Sequence, residues 1–151
     1  MSRILRLVLA GGAFAALAPT VLHAQASTAP NAAPDSVAFP RQFIDWVFSN
    51  KGDSAFAHAG ARLRESMKSG EGVNQMAGRI LGRFGAMEGT DAEVQFDEGS
   101  LKVYIAVMRF PSAPEPGAWV VAYSPDTKVV ERASFGPLSR VKTNYPQAKL
   151  P

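Results

Sequence analysis

The stretch ILGRFGAM, residues 80–87, decides how the rest of the chain is read. Its Gly82-Arg83-Phe84-Gly85 has the spacing of loops that join two helices and clamp a nucleic-acid backbone. The same letters also describe the glycine-punctuated end of a single helix. What precedes them separates the two readings. Val73, Met76, Ala77, Ile80, Leu81 and Phe84 fall at i, i+3, i+4, i+7, i+8 and i+11, one face of a 3.6-residue period. Phe84 is then the last apolar position of a helix, Gly85 its C′ residue and Ser69 its N-terminal cap. Beyond Gly89 the period falls to two, so strands follow where a nucleic-acid clamp needs a second helix. The reading is a helix end, and no nucleic-acid partner is expected.

Working outward, Phe39, Phe43, Trp46 and Val47 sit at i, i+4, i+7 and i+8 and predict a first helix, with Pro40 in its first turn, where backbone N–H groups are free anyway. Gly52 is expected to end it as a C′ residue, with Asp53 capping a short second helix over residues 54–60. ARLRESM, residues 61–67, extends that element by a turn or two. In the third helix Gly78 and Gly82 each cost about 1 kcal/mol relative to alanine. Four residues apart, they are expected to let a neighbouring element approach closely.

Downstream, Val94 and Phe96 alternate with Glu93, Gln95 and Asp97, and DEGS (97–100) is a turn. In LKVYIAVMRF (101–110), Leu101, Val103, Ile105 and Val107 occupy one face, while Tyr104, Ala106, Met108 and Phe110 occupy the other. A strand apolar on both faces belongs at the centre of a sheet. PSAPEPG (111–117) is a loop, AWVVAYS (118–124) a third strand, SPDT (124–127) a turn and KVVERASF (128–135) a fourth strand. Residues 138–151 have no period and are expected to be a loose tail. Helices first and a meander afterwards predict an α+β domain: three N-terminal helices on a four-stranded antiparallel sheet.

The N-terminus carries a separate message. Arg3 and Arg6 precede an apolar run over residues 7–22, and Ala24-Gln25-Ala26 supplies the small residues that signal peptidase needs. Residues 1–26 read as a signal peptide cleaved after Ala24 or Ala26, and residues 27–38 as a flexible leader. The protein is expected to be secreted or periplasmic and free of the membrane once cleaved. The formal charge of +3 then falls to +1, because both signal arginines leave 14 Lys/Arg facing 13 Asp/Glu. The high isoelectric point is therefore weak support for an anionic macromolecular partner. With no cysteine, the chain has no disulfide or thiolate chemistry.

GDSAFAHAGARLRESM (52–67), GRILGRFGAM (78–87), the long strand LKVYIAVMRF and the hairpin around SPDT together resemble the nuclear-transport-factor-two-like, or cystatin-like, superfamily. They are most similar to a secreted branch of it, of undefined activity, that often stands ahead of α/β-hydrolase domains. The resemblance spans residues 39–137. It implies a strongly curved, cone-shaped sheet wrapped round the helices, with a pocket between them. Enzymes of the superfamily, such as ketosteroid isomerase and scytalone dehydratase, place an acid–base residue inside that apolar cone. Relatives of the branch precede hydrolases, but no Gly-x-Ser-x-Gly elbow occurs in this chain.

Residues with chemistry are few. His58 is the one histidine beyond the signal peptide, and neither Asp53 nor Glu65 lies three or four residues from it, so no metal site is expected. No motif calls for a cofactor. Asp45 lies off the apolar stripe of the first helix and reads as solvated. Trp46, Tyr104, Arg109, Trp119 and Tyr123 are the candidate binding residues, and no catalytic residue is assigned. The functional expectation is an exported, non-enzymatic module for a small apolar ligand or a protein partner. The alternative is an acid–base isomerase or dehydratase. Three helices cover one sheet face, so the other is expected to meet a partner, a second copy of the chain or the tail. N-terminal sequencing of the exported form should begin at Ser27, or at Gln25 if cleavage follows Ala24; an intact Met1 on membrane-bound protein would defeat the export reading.

Overall fold

A computed structural model of the protein describes residues 36–151; the segment expected to be a signal peptide, and the expected leader as far as residue 35, lie outside the described residues. The domain is α+β with a four-stranded antiparallel sheet. Four helices precede the strands: α1 (Ala38–Phe48), α2 (Gly52–Ala57), α3 (Ala61–Met67) and α4 (Gly70–Phe84). Strands β1 (Gly89–Glu98), β2 (Leu101–Arg109), β3 (Gly117–Tyr123) and β4 (Val130–Pro137) form a meander in the order β1-β2-β3-β4. A fifth helix, α5 (Leu138–Asn144), and a 3-10 turn (Pro146–Ala148) follow. Among the described residues the three helices expected from sequence are five, because ARLRESM is a helix of its own and the tail holds another.

The opening stretch is a helix end. Ser69 Oγ accepts from Gly72 N at 3.1 Å and caps α4, and Gly85 N donates to Leu81 O at 2.8 Å. Gly85 has φ of +86°, a conformation L residues rarely adopt, and a Cβ there would press on the Pro111 ring. Phe84 meets Phe110 and Phe135 at centroid distances of 6.2 and 6.1 Å, so it belongs to the apolar interior. Gly52 does not end α1. That helix stops at Phe48, Asn50 takes the positive φ, and Gly52 opens α2. A Cβ on Gly52 would strike the Gly70 carbonyl, and Gly52 N donates to Asn74 Oδ1 at 2.9 Å. The close helix approach expected of Gly78 and Gly82 is made here instead, between α2 and α4. A Cβ at either of those two glycines meets nothing within 4 Å.

The central strands dictate the layers. Every residue of β3 and all from Val103 to Met108 of β2 are buried. On one face Tyr104, Ala106, Met108, Trp119, Val121 and Tyr123 pack against Phe43, Ile44, Val47 and Ala55 of the first helices and Val73 and Ala77 of α4. On the other, Val103, Ile105, Val107, Ala118, Val120 and Ala122 pack against Leu138, Val141 and Ala148. The tail is therefore ordered. Its short helix buries two side chains, too few to show as a period, and it takes the place that the sequence left open for a partner. Tyr104, Trp119 and Tyr123 face the helices and are no more than 1% exposed, so the helices cover that face.

Both sheet edges carry charges or irregularities that discourage strand addition. β1 has a register shift between Thr90 and Ala92. The start of β4 is covered by residues 58–60: Val130 N donates to His58 O, and Gly60 N donates to Val130 O, each at 2.8 Å. Arg132 of β4 pairs with Glu98 at the far end of β1, on the tail side.

Because Gly78 and Gly82 border open space in a helix interior, Gly78→Ala and Gly82→Ala should each stabilise the domain by up to about 1 kcal/mol. Urea melts of the two variants check this. A loss of stability in either would show that the glycine is needed for packing.

Candidate functional site

Helix α1 divides the site into two. At 100° per residue, Pro40, Phe43 and Val47 form a central buried stripe. Arg41, Ile44, Asp45, Phe48 and Ser49 lie on one flank of that stripe, and Ala38, Phe39, Gln42 and Trp46 on the other. Each flank borders its own cavity.

The first cavity, of about 480 Å³, lies between α1, the end of α4 and the β1–β2 hairpin. Ile44, Phe48, Leu81, Met87 and Met108 give it apolar walls; Arg41, Asp45, Glu93 and Tyr104 give it an ionic lip. The lip is held by a network. Arg41 Nε donates to both Glu93 carboxylate oxygens, at 2.9 and 3.1 Å, its Nη2 forms an ion pair with the same group, and Tyr104 OH also donates to Glu93. Asp45 accepts from Ser49 Oγ at 3.0 Å one turn along the helix. The Arg41 bonds hold the Glu93 carboxyl below its ordinary 4.5 against the opposing effect of burial, and the Tyr104 bond lowers it further. Burial, reinforced by the neighbouring carboxylate, pushes the Tyr104 phenol well above its usual value. At neutral pH the carboxylate is charged and the phenol keeps its proton.

The second cavity, of about 750 Å³, lies between the other flank of α1, His58 and the β3–β4 hairpin. Trp46 stacks on His58 at 5.0 Å and 24°, and Phe39 meets His58 at 5.5 Å and Tyr123 at 5.2 Å. His58 Nδ1 lies 3.0 Å from the Lys128 carbonyl oxygen. A carbonyl only accepts, so this nitrogen carries the proton. Tyr123 OH donates to Ser36 O at 3.1 Å and fixes the chain just ahead of α1. A third hollow, of about 370 Å³ under Phe84, Phe110 and Phe135, has aromatic walls, and its one carboxylate, Glu115, accepts from Ser139 N and Oγ at 3.0 Å.

The five candidate residues do not converge. Tyr104 enters the first cavity, while Trp46 and Tyr123 enter the second. Trp119 is core, set between Phe48 at 5.9 Å and Phe135 at 5.8 Å; among the described residues its Nε1 has no hydrogen-bond partner. Arg109 is paired with Asp91 across the β1–β2 ladder and lines neither cavity. Asp45 is exposed, as its place off the stripe suggested, yet it stands at the cavity lip. Sequence reasoning missed Arg41 and Glu93. The signal lay in the alternation of β1, which the sequence does not orient: Val94 and Phe96 face the tail, and Glu93 and Gln95 face the helices. The second apolar cover on residues 138–151 reverses the usual inference.

Among the described residues, no group of three or more His, Asp or Glu side chains is placed to hold a metal ion. No described helix is long and apolar enough to cross a membrane.

A carboxylate held below its unfolded value stabilises the fold above that value, and the contribution is lost as pH falls through the folded one. Glu93→Gln should therefore be less stable than the parent at pH 7 and should lose less stability on acidification through and below pH 4.5. Thermal melts at both pH values check this; equal acid sensitivity in the two proteins would remove Glu93 from the network. Comparisons with family models, with curated proteins and with solved structures found no match for this chain.

Proposed function

We propose that the chain is an exported, non-enzymatic module that binds a small amphipathic molecule in the cavity beside Tyr104. The observation that carries this reading is the union of an apolar wall (Ile44, Phe48, Leu81, Met108) with a fixed ionic lip (Arg41, Glu93, Tyr104) around about 480 Å³. Ligand sites are concave, mostly apolar and oriented by a few polar groups, with volumes of ~300–1,000 Å³. Export rests on residues 1–26, with their basic start, apolar run and Ala24-Gln25-Ala26. The likeness to the nuclear-transport-factor-two-like superfamily supports the same place, since its cone-shaped pocket lies between helices and sheet. Pairing through a sheet face has less support, because helices and tail occupy both faces.

An acid–base enzyme is the second reading, favoured by the Tyr104–Glu93 contact at a cavity lip. A general base works best with its pKa near the operating pH. Glu93 is shifted the other way, and its oxygens are engaged by Arg41 and Tyr104. Binding is therefore the better reading.

Titration of isotope-labelled protein with 1-decanol should shift the amide signals of Ile44, Leu81 and Met108. Leu81→Trp, which places a larger ring at a half-buried wall position, should abolish those shifts while the spectrum stays folded. Unchanged decanol binding in that variant, or none in the parent, overturns the proposal. In the acid–base reading the protein would instead catalyse deuterium exchange beside the carbonyl of 2-decanone, and Glu93→Gln would stop it.

A further inference from the structure

The second cavity differs from the first in charge. Asp45 and Glu93 stand at the lip of the first, whereas the ionic side chains lining the second, Lys102 and Lys128, are both cations. The aromatic wall is continuous from Trp46 through His58 and Phe39 to Tyr123, with successive centroids 5.0–5.5 Å apart. Trp46 and Phe39 are not on the stripe that packs the core of α1. They flank it and remain half-buried beside about 750 Å³ that the described residues leave unfilled. We propose that this cavity is a separate binding site for a planar aromatic anion, a carboxylate or sulfonate, stacked on the Phe39–Trp46 wall with its charge toward Lys102 and Lys128.

The placement of Lys128 supports this. It adopts φ of +56°, a left-handed conformation that a non-glycine residue rarely takes. Such positions are where glycine usually stands in hairpin turns. A lysine here holds three links at once: its carbonyl accepts from His58, its N–H donates to Ser124 O at 3.0 Å, and its ammonium lies 5.7 Å from the Phe39 ring centre. The cation is therefore fixed against the aromatic wall. Lys102 also lines the cavity; its ammonium is ion-paired with the Asp97 carboxylate at 2.7 Å, so it supplies the weaker of the two attractions and Lys128 the stronger. A flat ring meets aromatic faces by stacking, and an anionic substituent meets two ammonium groups; neither a cation nor an aliphatic chain satisfies both.

Calorimetric titration of the purified protein with three compounds of one shape tests the charge requirement: 2-naphthalenesulfonate, 2-naphthol and 2-naphthylmethylammonium. The sulfonate should bind about tenfold more tightly than the alcohol, the advantage two partly exposed ion pairs supply, and the ammonium most weakly. In a Lys102→Gln/Lys128→Gln double variant, Lys128 being exposed and Lys102 half-buried, the sulfonate should fall to the affinity of the alcohol. Leu81→Trp, in the other cavity, should leave sulfonate binding unchanged, so failure of the decanol site and failure of this one are told apart. Equal affinity for the three compounds, a preference that survives the double variant, or loss of sulfonate binding in Leu81→Trp would each overturn the proposal.

Discussion

A sheet whose two middle strands are apolar on both faces must be covered twice, and that requirement organises this domain. Val103 to Met108 and Gly117 to Tyr123 leave no side for water. Burying a valine, isoleucine or phenylalanine side chain contributes about 1.5–3 kcal/mol, so either face left bare would forfeit much of a small domain's stability. One cover is large, four helices, of which α2 and α4 are drawn together by the Gly52–Gly70 contact. The other is small, Leu138, Val141 and Ala148 with Tyr145 and Leu150 beside them. The polar residues of β1 are drawn to the helix side because Val94 and Phe96 are needed against the tail.

The two cavities follow from the width of that helical cover. A helix meets a sheet along one stripe, and α1 spends Pro40, Phe43 and Val47 on it. On the flanks only Ile44 is fully buried; Phe39, Trp46 and Phe48 reach the edge of the core and stay half-buried, and the polar residues between them are exposed. On one side the flanking residues include arginine and aspartate, met by Glu93; on the other, phenylalanine and tryptophan, met by His58 and the β3–β4 hairpin. One helix thus presents two surfaces of different chemistry.

How much of this was legible depended on whether a feature repeats. The α4 stripe from Val73 to Phe84 spans three turns, and Gly85 and Ser69 punctuate it, so helix, cap and end were readable. The alternation of β2 likewise gave the central strand and its two faces. Residues 138–144 make under two turns and bury only Leu138 and Val141, which no periodicity detects. Gly78 and Gly82 were misassigned because a glycine states freedom and not its use. Close approach was needed at Gly52 and Gly70, where helices meet, and letters alone do not say which helices touch. The Arg41–Glu93–Tyr104 network joins residues 52 and 11 positions apart, and depends on which face of β1 turns inward.

The late position of the second cover sets an order of events during synthesis. Until residues 138–148 have left the ribosome, Val103, Ile105, Val107 and Val120 have nothing to pack against, whatever the helices ahead of them have done. A nascent chain with its sheet half-covered is soft and holds apolar strands that a chaperone can grasp. Placing the closing segment last therefore delays the final packing of the sheet until the chain is nearly complete.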